Sequence, residues 1–233
     1  MSMASESKNR FLNIAIDGPS GAGKSTLAKL LAKKLAILYL DTGFLYRIVA
    51  WLAKENGIEF EDEESLENFL QVKLLSFTLT TSGLKILYKG EQVDADLYNP
   101  ELSQGASKVS QFPCVRSYLI DLQREIATNH CVVLDGRDIG TVVLPNADLK
   151  IYLTASQEER VKRRYQDHIA TGMTLAEVEK EIVERDTRDS TRSVAPLKAA
   201  EDAIMMDSTN LSVEELGEQI EQILMQKGLW KGA

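Results

Sequence analysis

Cysteine and histidine are nearly missing from this chain, which has two of each in 233 residues. Cys114 and Cys131 are too far apart for a CxxC pair, and no second pair exists. That argues against a disulfide framework or a zinc site; two small buried thiols in a reducing compartment are the plain reading. His168 has no Cys or His near it in the chain, and His130 has only Cys131 beside it, too few ligands to hold a metal. Long apolar runs are also lacking, because lysines and aspartates interrupt every stretch that approaches a membrane span. The amino end, MSMASESKNR, has no apolar centre of the signal-peptide kind, so a cytoplasmic protein is expected. Basic charge is in deficit. With 27 Lys and Arg against 35 Asp and Glu, the net charge is −8, which argues against a nucleic-acid polymer as partner. A small phosphorylated ligand needs only a local cluster of cations and stays open. No internal repeat or low-complexity tract is found.

What is present is ordinary in bulk: 44% hydrophobic and 27% charged residues. A chain of this length buries roughly 70–75% of its unfolded surface without help from a metal or disulfide. Short apolar runs at Ile14–Ile16, Ile37–Leu40, Cys131–Leu134, Leu149–Leu153 and Ala203–Met206 read as strands. Amphipathic helices alternate with them, such as Leu27, Leu30, Leu31 and Leu35, and Leu216, Ile220, Ile223 and Leu224 behind the capping box Ser212…Glu215. This rhythm predicts an α/β fold, a parallel sheet with helices on both faces. One segment breaks it. FLQVKLLSFTLTTSGLKILYKGEQVD, Phe69–Asp94, is β-rich, with turns at Ser82-Gly83 and Lys89-Gly90, and predicts two or three antiparallel strands. The acidic EFEDEESLENF before it reads as a solvated helix face. Capping boxes Ser156…Glu159 and Thr174…Glu177 place two helices around His168–Gly172. That hairpin is rich in arginine: Arg160, Arg163, Arg164, Arg185, Arg188 and Arg192.

Between the first strand and its helix stands GPSGAGKS, which matches G-x-x-x-x-G-K-[ST]. In such a P-loop, glycines let backbone N–H groups converge on phosphate oxygens at the positive end of a helix. Gly18, Pro19, Ser20, Gly21, Ala22, Gly23, Lys24, Ser25 and Thr26 are the expected ATP-binding residues. Lys24 would reach the β- and γ-phosphates, and Ser25 would offer its hydroxyl to Mg²⁺. No Asn-Lys-x-Asp element for reading guanine is present. Asp135, ending the strand Cys131–Leu134, sits where a second magnesium ligand would stand; a simple Asp-Gly turn is the alternative. Arg185, Arg188, Asp189 and Arg192 recur at spacings of three and four, which puts them on one helix face. They form either a phosphate and ribose clamp or a solvated ladder. Arg160 and Arg164 share another face, either as lid residues or as plain surface.

Five pieces in order resemble the bacterial-type cytidylate kinases: GPSGAGKS, Asp41-Thr-Gly-Phe-Leu-Tyr-Arg47, Phe112-Pro-Cys-Val-Arg116, Asp135-Gly-Arg-Asp-Ile-Gly140 and Arg185-Asp-Thr-Arg-Asp-Ser-Thr-Arg192. The resemblance runs from about Asn13 to the last helix, and the β-rich segment is similar to that family's long insertion. It implies transfer of the γ-phosphoryl group of ATP, with Mg²⁺, to CMP or dCMP. Arg47 and Arg137 would then hold the acceptor phosphate, with Tyr46 and Thr42 in the same pocket. Thr42 stands where many relatives have serine, and Ser25 where some have glycine. Ser107, Arg116 and Asp138 would surround the base, and Asp189 the ribose, while Arg185 and Arg192 take phosphates. The catalytic set implied is Lys24, Arg137, Arg164 and Arg188, with Arg160 closing over the donor. The expected division is a P-loop kinase core with a five-stranded parallel sheet (11–41, 107–155 and 193–233), an acceptor-binding insertion (42–106) and a helical lid (156–192). A monomer is expected. The rivals are a kinase of UMP, AMP or a hydroxylated metabolite, and an ATP-binding module that makes no ADP when monophosphates are added.

Overall fold

The computed structural model describes residues 11–72, 75–80, 83–93, 96–168 and 172–231. Five strands, β1 (Asn13–Asp17), β2 (Leu38–Asp41), β6 (Val132–Gly136), β7 (Leu149–Thr154) and β8 (Ile204–Asp207), form one sheet in the order β2-β6-β1-β7-β8. Every pairing in it is parallel. Each of the five apolar runs became a strand, and β2 and β8 lie one residue further along than their runs. Side chains alternate across a strand, so the sheet feeds two cores. Ile14, Ile16, Val133, Ile151 and Leu153 face Leu27 and Leu31 of α1 (Lys24–Leu35) and Leu216, Ile220 and Leu224 of α8 (Val213–Gln226). Ala15, Leu40, Val132 and Leu134 face Leu45, Ile48 and Leu52 of α2 (Thr42–Glu55) and Leu119 and Ile126 of α5 (Pro113–Asn129). Both faces are covered, which is why these strands read as continuous apolar runs.

Between β2 and β6 the chain forms α3 (Glu63–Leu70), then β3 (Leu75–Thr80), β4 (Gly83–Tyr88) and β5 (Glu91–Gln92), then α4 (Pro100–Val109). The three strands are antiparallel, in the order β3-β4-β5. Lys89 (φ 52°) and Gly90 (φ 86°) make the two-residue turn expected there, with the left-handed backbone that matches strand twist. Ser82, in the other expected turn, lies outside the described residues. The acidic stretch forms α3, capped by Asp62, with Leu66 and Leu70 buried and its acids exposed. Helix α4 runs across the expected boundary at 106/107.

After β7 come α6 (Gln157–His168) and α7 (Leu175–Thr191), packed on a small cluster of Val161, Val178 and Ile182. Thr174 and Glu177 form the reciprocal capping box, as do Ser212 and Glu215 at α8. At α6, Ser156 accepts the Glu159 N–H at 3.3 Å, while the Glu159 carboxylate takes Arg163 at 3.0 Å. Residues 169–171 of the expected turn lie outside the described residues. No helix among the described residues is long and apolar enough to cross a membrane.

Candidate active site

The carboxyl ends of β1, β2 and β6 open on one side, where the strand order departs from chain order; open α/β sheets form their crevices at such a point. A cavity of about 420 Å³ lies there. It is lined by the P-loop, the start of α2, α4, Arg116 of α5, the turn after β6, and α6 and α7 of the lid segment.

The P-loop needs its glycines for space and for backbone sign. A Cβ on Gly18 would lie 1.9 Å from the Leu153 carbonyl oxygen. Gly23 caps α1 at φ 88°, a conformation costly for other residues. Gly18 and Ala22 are buried beneath the loop, whereas Ser20, Gly21, Gly23, Lys24, Ser25 and Thr26 line the cavity. The ammonium of Lys24 donates to the Pro19 carbonyl at 2.6 Å. Burial, then the Arg137 guanidinium, hold its pKa well below the usual lysine range, and Asp135 opposes them. An anion in the cavity would relieve both effects.

Asp135 is more than a turn residue. Its carboxylate accepts the Ser25 hydroxyl and the Tyr39 phenol, each at 3.0 Å, and its carbonyl accepts the Thr42 hydroxyl at 2.7 Å. Burial, then Asp41 on the neighbouring strand, push its pKa up to about 6, against Lys24. Magnesium needs few protein ligands, since it keeps waters and takes substrate phosphates. One hydroxyl and one carboxylate in contact beside the P-loop fit that demand. Among the described residues no cluster of three or more His, Cys, Asp or Glu forms a protein-only metal cage.

The remaining expected residues converge from five helices, α2, α4, α5, α6 and α7, and from the turn after β6. Arg116, only 2% exposed, pairs with Asp138 and donates to the Ser110 carbonyl at 3.3 Å. Its guanidinium lies over the Tyr46 ring at 5.8 Å, and burial pushes the Tyr46 phenol up to about 12. Arg192 also reaches Asp138, at 3.4 Å, and Ser110, at 3.2 Å. Arg137 donates to Asp189 at 2.8 Å. The Ser107 hydroxyl donates to Asp189 at 3.4 Å and accepts from Arg188 at 2.9 Å, so Arg188 meets the site through α4. Arg47, Arg164 and Arg185 line the cavity.

One expectation changes. Arg192 does not continue the helical face: it is the cap of α7, with extended backbone at ψ 142°. Pro196 follows shortly, and a helix seldom runs up to a proline. Arg160 stands beside the P-loop, donating to the carbonyls of Ala155 at 3.2 Å and Ser20 at 3.0 Å and pairing with the Asp186 carboxylate.

Other residues gained a place that motif reasoning had not assigned. Asp186 accepts the Ser20 N–H at 3.1 Å, which ties α7 to the P-loop. Arg163 donates to the hydroxyl and carbonyl of Ser208, at 2.9 and 2.7 Å, and lines the cavity. Asp17 accepts the N–H groups of Ile139 and Gly140, at 2.8 and 2.7 Å, and so holds the π-helical turn Ile139–Val143 in place. The acidic residue before Gly18 was a legible signal. The pairings of Asp186 and Arg163 join segments that periodicity does not connect.

The site invites comparison with known proteins. The cytidylate kinase family model matches residues 14–226. A cytidylate kinase of Thermosipho melanesiensis is 49% identical over 92% of this chain and 97% of its own length. One from Carboxydothermus hydrogenoformans is 46% identical over 93% of this chain and 98% of its own. An uncharacterized protein from Eubacterium ventriosum shares the fold, with a TM-score of 0.51 at 12% identity, over 92% of this chain and 98% of its own. With near-complete coverage and almost half the residues identical, the chain belongs to the cytidylate kinase family.

Proposed function

We propose that this protein phosphorylates CMP and dCMP to CDP and dCDP with the γ-phosphoryl group of ATP, in the cavity at the sheet's carboxyl end. The observation that carries the reading is a surplus of buried and half-buried cations facing that cavity. Lys24, Arg47, Arg137, Arg164 and Arg185 all line it. Burial, then Arg137, lower the pKa of Arg185 to about 9, and its buried Nε has no hydrogen-bond partner. A buried donor without an acceptor costs about 1–3 kcal/mol, so the site is built for anions that arrive later. A triphosphate beside a monophosphate supplies them.

The donor phosphates lie on the P-loop amides and Lys24. Ser25 and Asp135 would hold Mg²⁺, which would supply positive charge to offset that of the triphosphate. Arg47, Arg137 and Arg185 hold the acceptor phosphate in line, with Tyr46 and Thr42 beside it. One of its oxygens bonds to the γ-phosphorus as the bond to the β–γ bridging oxygen breaks. Lys24, Arg137, Arg164 and Arg188 follow the charge as it moves, and ADP leaves. Ser107, Arg116 and Asp138 read cytosine, and Asp189 reads the ribose with Arg192 behind it. Arg160 acts as a strut between lid and P-loop, beside the donor. Positioning and charge stabilisation suffice, because phosphoryl transfer asks little covalent work of the protein.

The working division is a core (11–41, 107–155 and 193–233), an acceptor-binding insertion (42–106) and a lid (156–192), the last excluding water that would otherwise take the phosphoryl group. A monomer in the cytoplasm is the working form. The test is ADP formation from ATP with each nucleoside monophosphate in turn. Rapid ADP release with CMP and dCMP is expected; equal rates with AMP or UMP, or none with any, would overturn the reading.

A further inference from the structure

Tyr98 sits between β5 and α4 and is 63% exposed, so burial explains little of its placement. Three directed contacts hold it nonetheless. Its phenol donates to Oδ2 of Asp41 at 3.1 Å. Its ring stacks on Phe44, with centroids 5.9 Å apart and planes 23° from parallel. The Arg47 guanidinium lies over the same ring, 5.0 Å from its centroid. Asp41, Phe44 and Arg47 are spaced by three along the start of α2, so they form one stripe on that helix, and Tyr98 lies along it. Asp41 is itself fixed, since its Oδ1 caps α2 through the Phe44 N–H at 3.0 Å.

The far end of the stripe is the functional one. Arg47 lines the cavity; its Nε donates to Ser103 at 3.5 Å, and its Nη1 passes Gly43, where an added Cβ would meet it at 3.2 Å. A flexible arginine held by a long hydrogen bond would lose much of its rotamer freedom on meeting a phosphate. A ring beneath the guanidinium removes part of that freedom beforehand.

We propose that Tyr98 is a positioning residue for the acceptor phosphate: its ring holds the Arg47 guanidinium at the cavity, and its hydrogen bond to Asp41 holds the ring. This rests on the reading of Arg47 as a phosphate ligand. It implies that the segment between β5 and α4 sets acceptor affinity without touching the base.

The test compares the parent, Tyr98→Phe and Tyr98→Leu by calorimetric binding of CMP, cytidine and ATP. Tyr98→Leu, which keeps bulk but has no π-face, should weaken CMP binding about fivefold, the upper range of an exposed cation–π contact. Tyr98→Phe, which keeps the ring and loses the Asp41 bond, should fall between. Cytidine, with no phosphate, and ATP should bind all three proteins alike. In an Arg47→Met background, Tyr98→Leu should have no further effect on CMP. Parent-like CMP binding by Tyr98→Leu, or equal losses for CMP and cytidine, would overturn this inference alone. A parent that fails to bind CMP would overturn the reading of the site and this inference with it.

Discussion

The Ser25 hydroxyl donates to the Asp135 carboxylate at 3.0 Å, although 110 residues separate them in the chain. The contact joins the P-loop to the end of the adjacent strand β6, and Lys24, the residue before Ser25, acts on the Asp135 carboxylate through its charge. It makes this end of the cavity one electrostatic unit, in which Lys24, Ser25 and Asp135 act on one another.

Lys24→Ala should therefore leave the fold intact and remove most turnover. Loss of a preorganised cation at the point where charge develops costs on the order of 10²-fold or more in kcat. Steady-state kinetics beside a thermal melt decide it, and a folded variant with parental kcat would remove Lys24 from the mechanism.

Base choice should follow the edge of the ring. Arginine only donates, so Arg116 suits O2 and N3 of cytosine and meets the N3–H of uracil donor to donor. Asp138 complements the N4 amine, the pairing that carboxylates make with cytosine in DNA grooves. Two mispaired buried groups should set UMP back by roughly 10²-fold or more in kcat/KM. The expected order is CMP, dCMP, then UMP, with AMP and GMP barely used. Arg116→Met should lower kcat/KM for CMP strongly and leave KM for ATP nearly unchanged. It should also lower Tm, since it removes a partner of buried Asp138. Indifference to the base in that variant would remove Arg116 from the pocket.

Asp17 should make stability depend on pH. Burial, the largest cause, raises its pKa from 3.8 to about 6, against the Gly140 and Ile139 N–H groups. A folded-state pKa above the unfolded one means that the folded protein binds the extra proton. The contribution is complete below about pH 4 and is lost as pH rises through about 6. The shift corresponds to about 3 kcal/mol. Urea unfolding of the parent and of D17N from pH 4 to 7.5 should show the parent losing stability relative to the variant. A difference that stays constant with pH would contradict the shift.

The lid segment should move on binding. Its own cluster is small, and its ties to the core include polar contacts at Asp186, Arg160 and Arg163 that water can compete for. Amide exchange in α6 and α7 should slow when a bisubstrate analogue is added, while β1 and β6 stay protected throughout. Unchanged exchange in both helices would count against closure.

The sequence by itself determined the elements and the donor site. Apolar runs of strand length between amphipathic helices can only be buried on both faces, which dictates a parallel sheet, and GPSGAGKS between a strand and a helix places the anion. The arginine-rich pieces were legible as chemistry because so many cations close together in an acidic chain call for phosphate. Which cation meets which partner was decided only by the tertiary structure. Arg116 with Asp138, Arg137 with Asp189, Arg160 with Asp186 and Tyr98 with Arg47 each join segments far apart in the chain or set by a turn. Periodicity assigns a residue to a face of its own helix and says nothing of what that face meets. Hence Arg192 looked helical from its spacing, and the backbone turned at that residue instead.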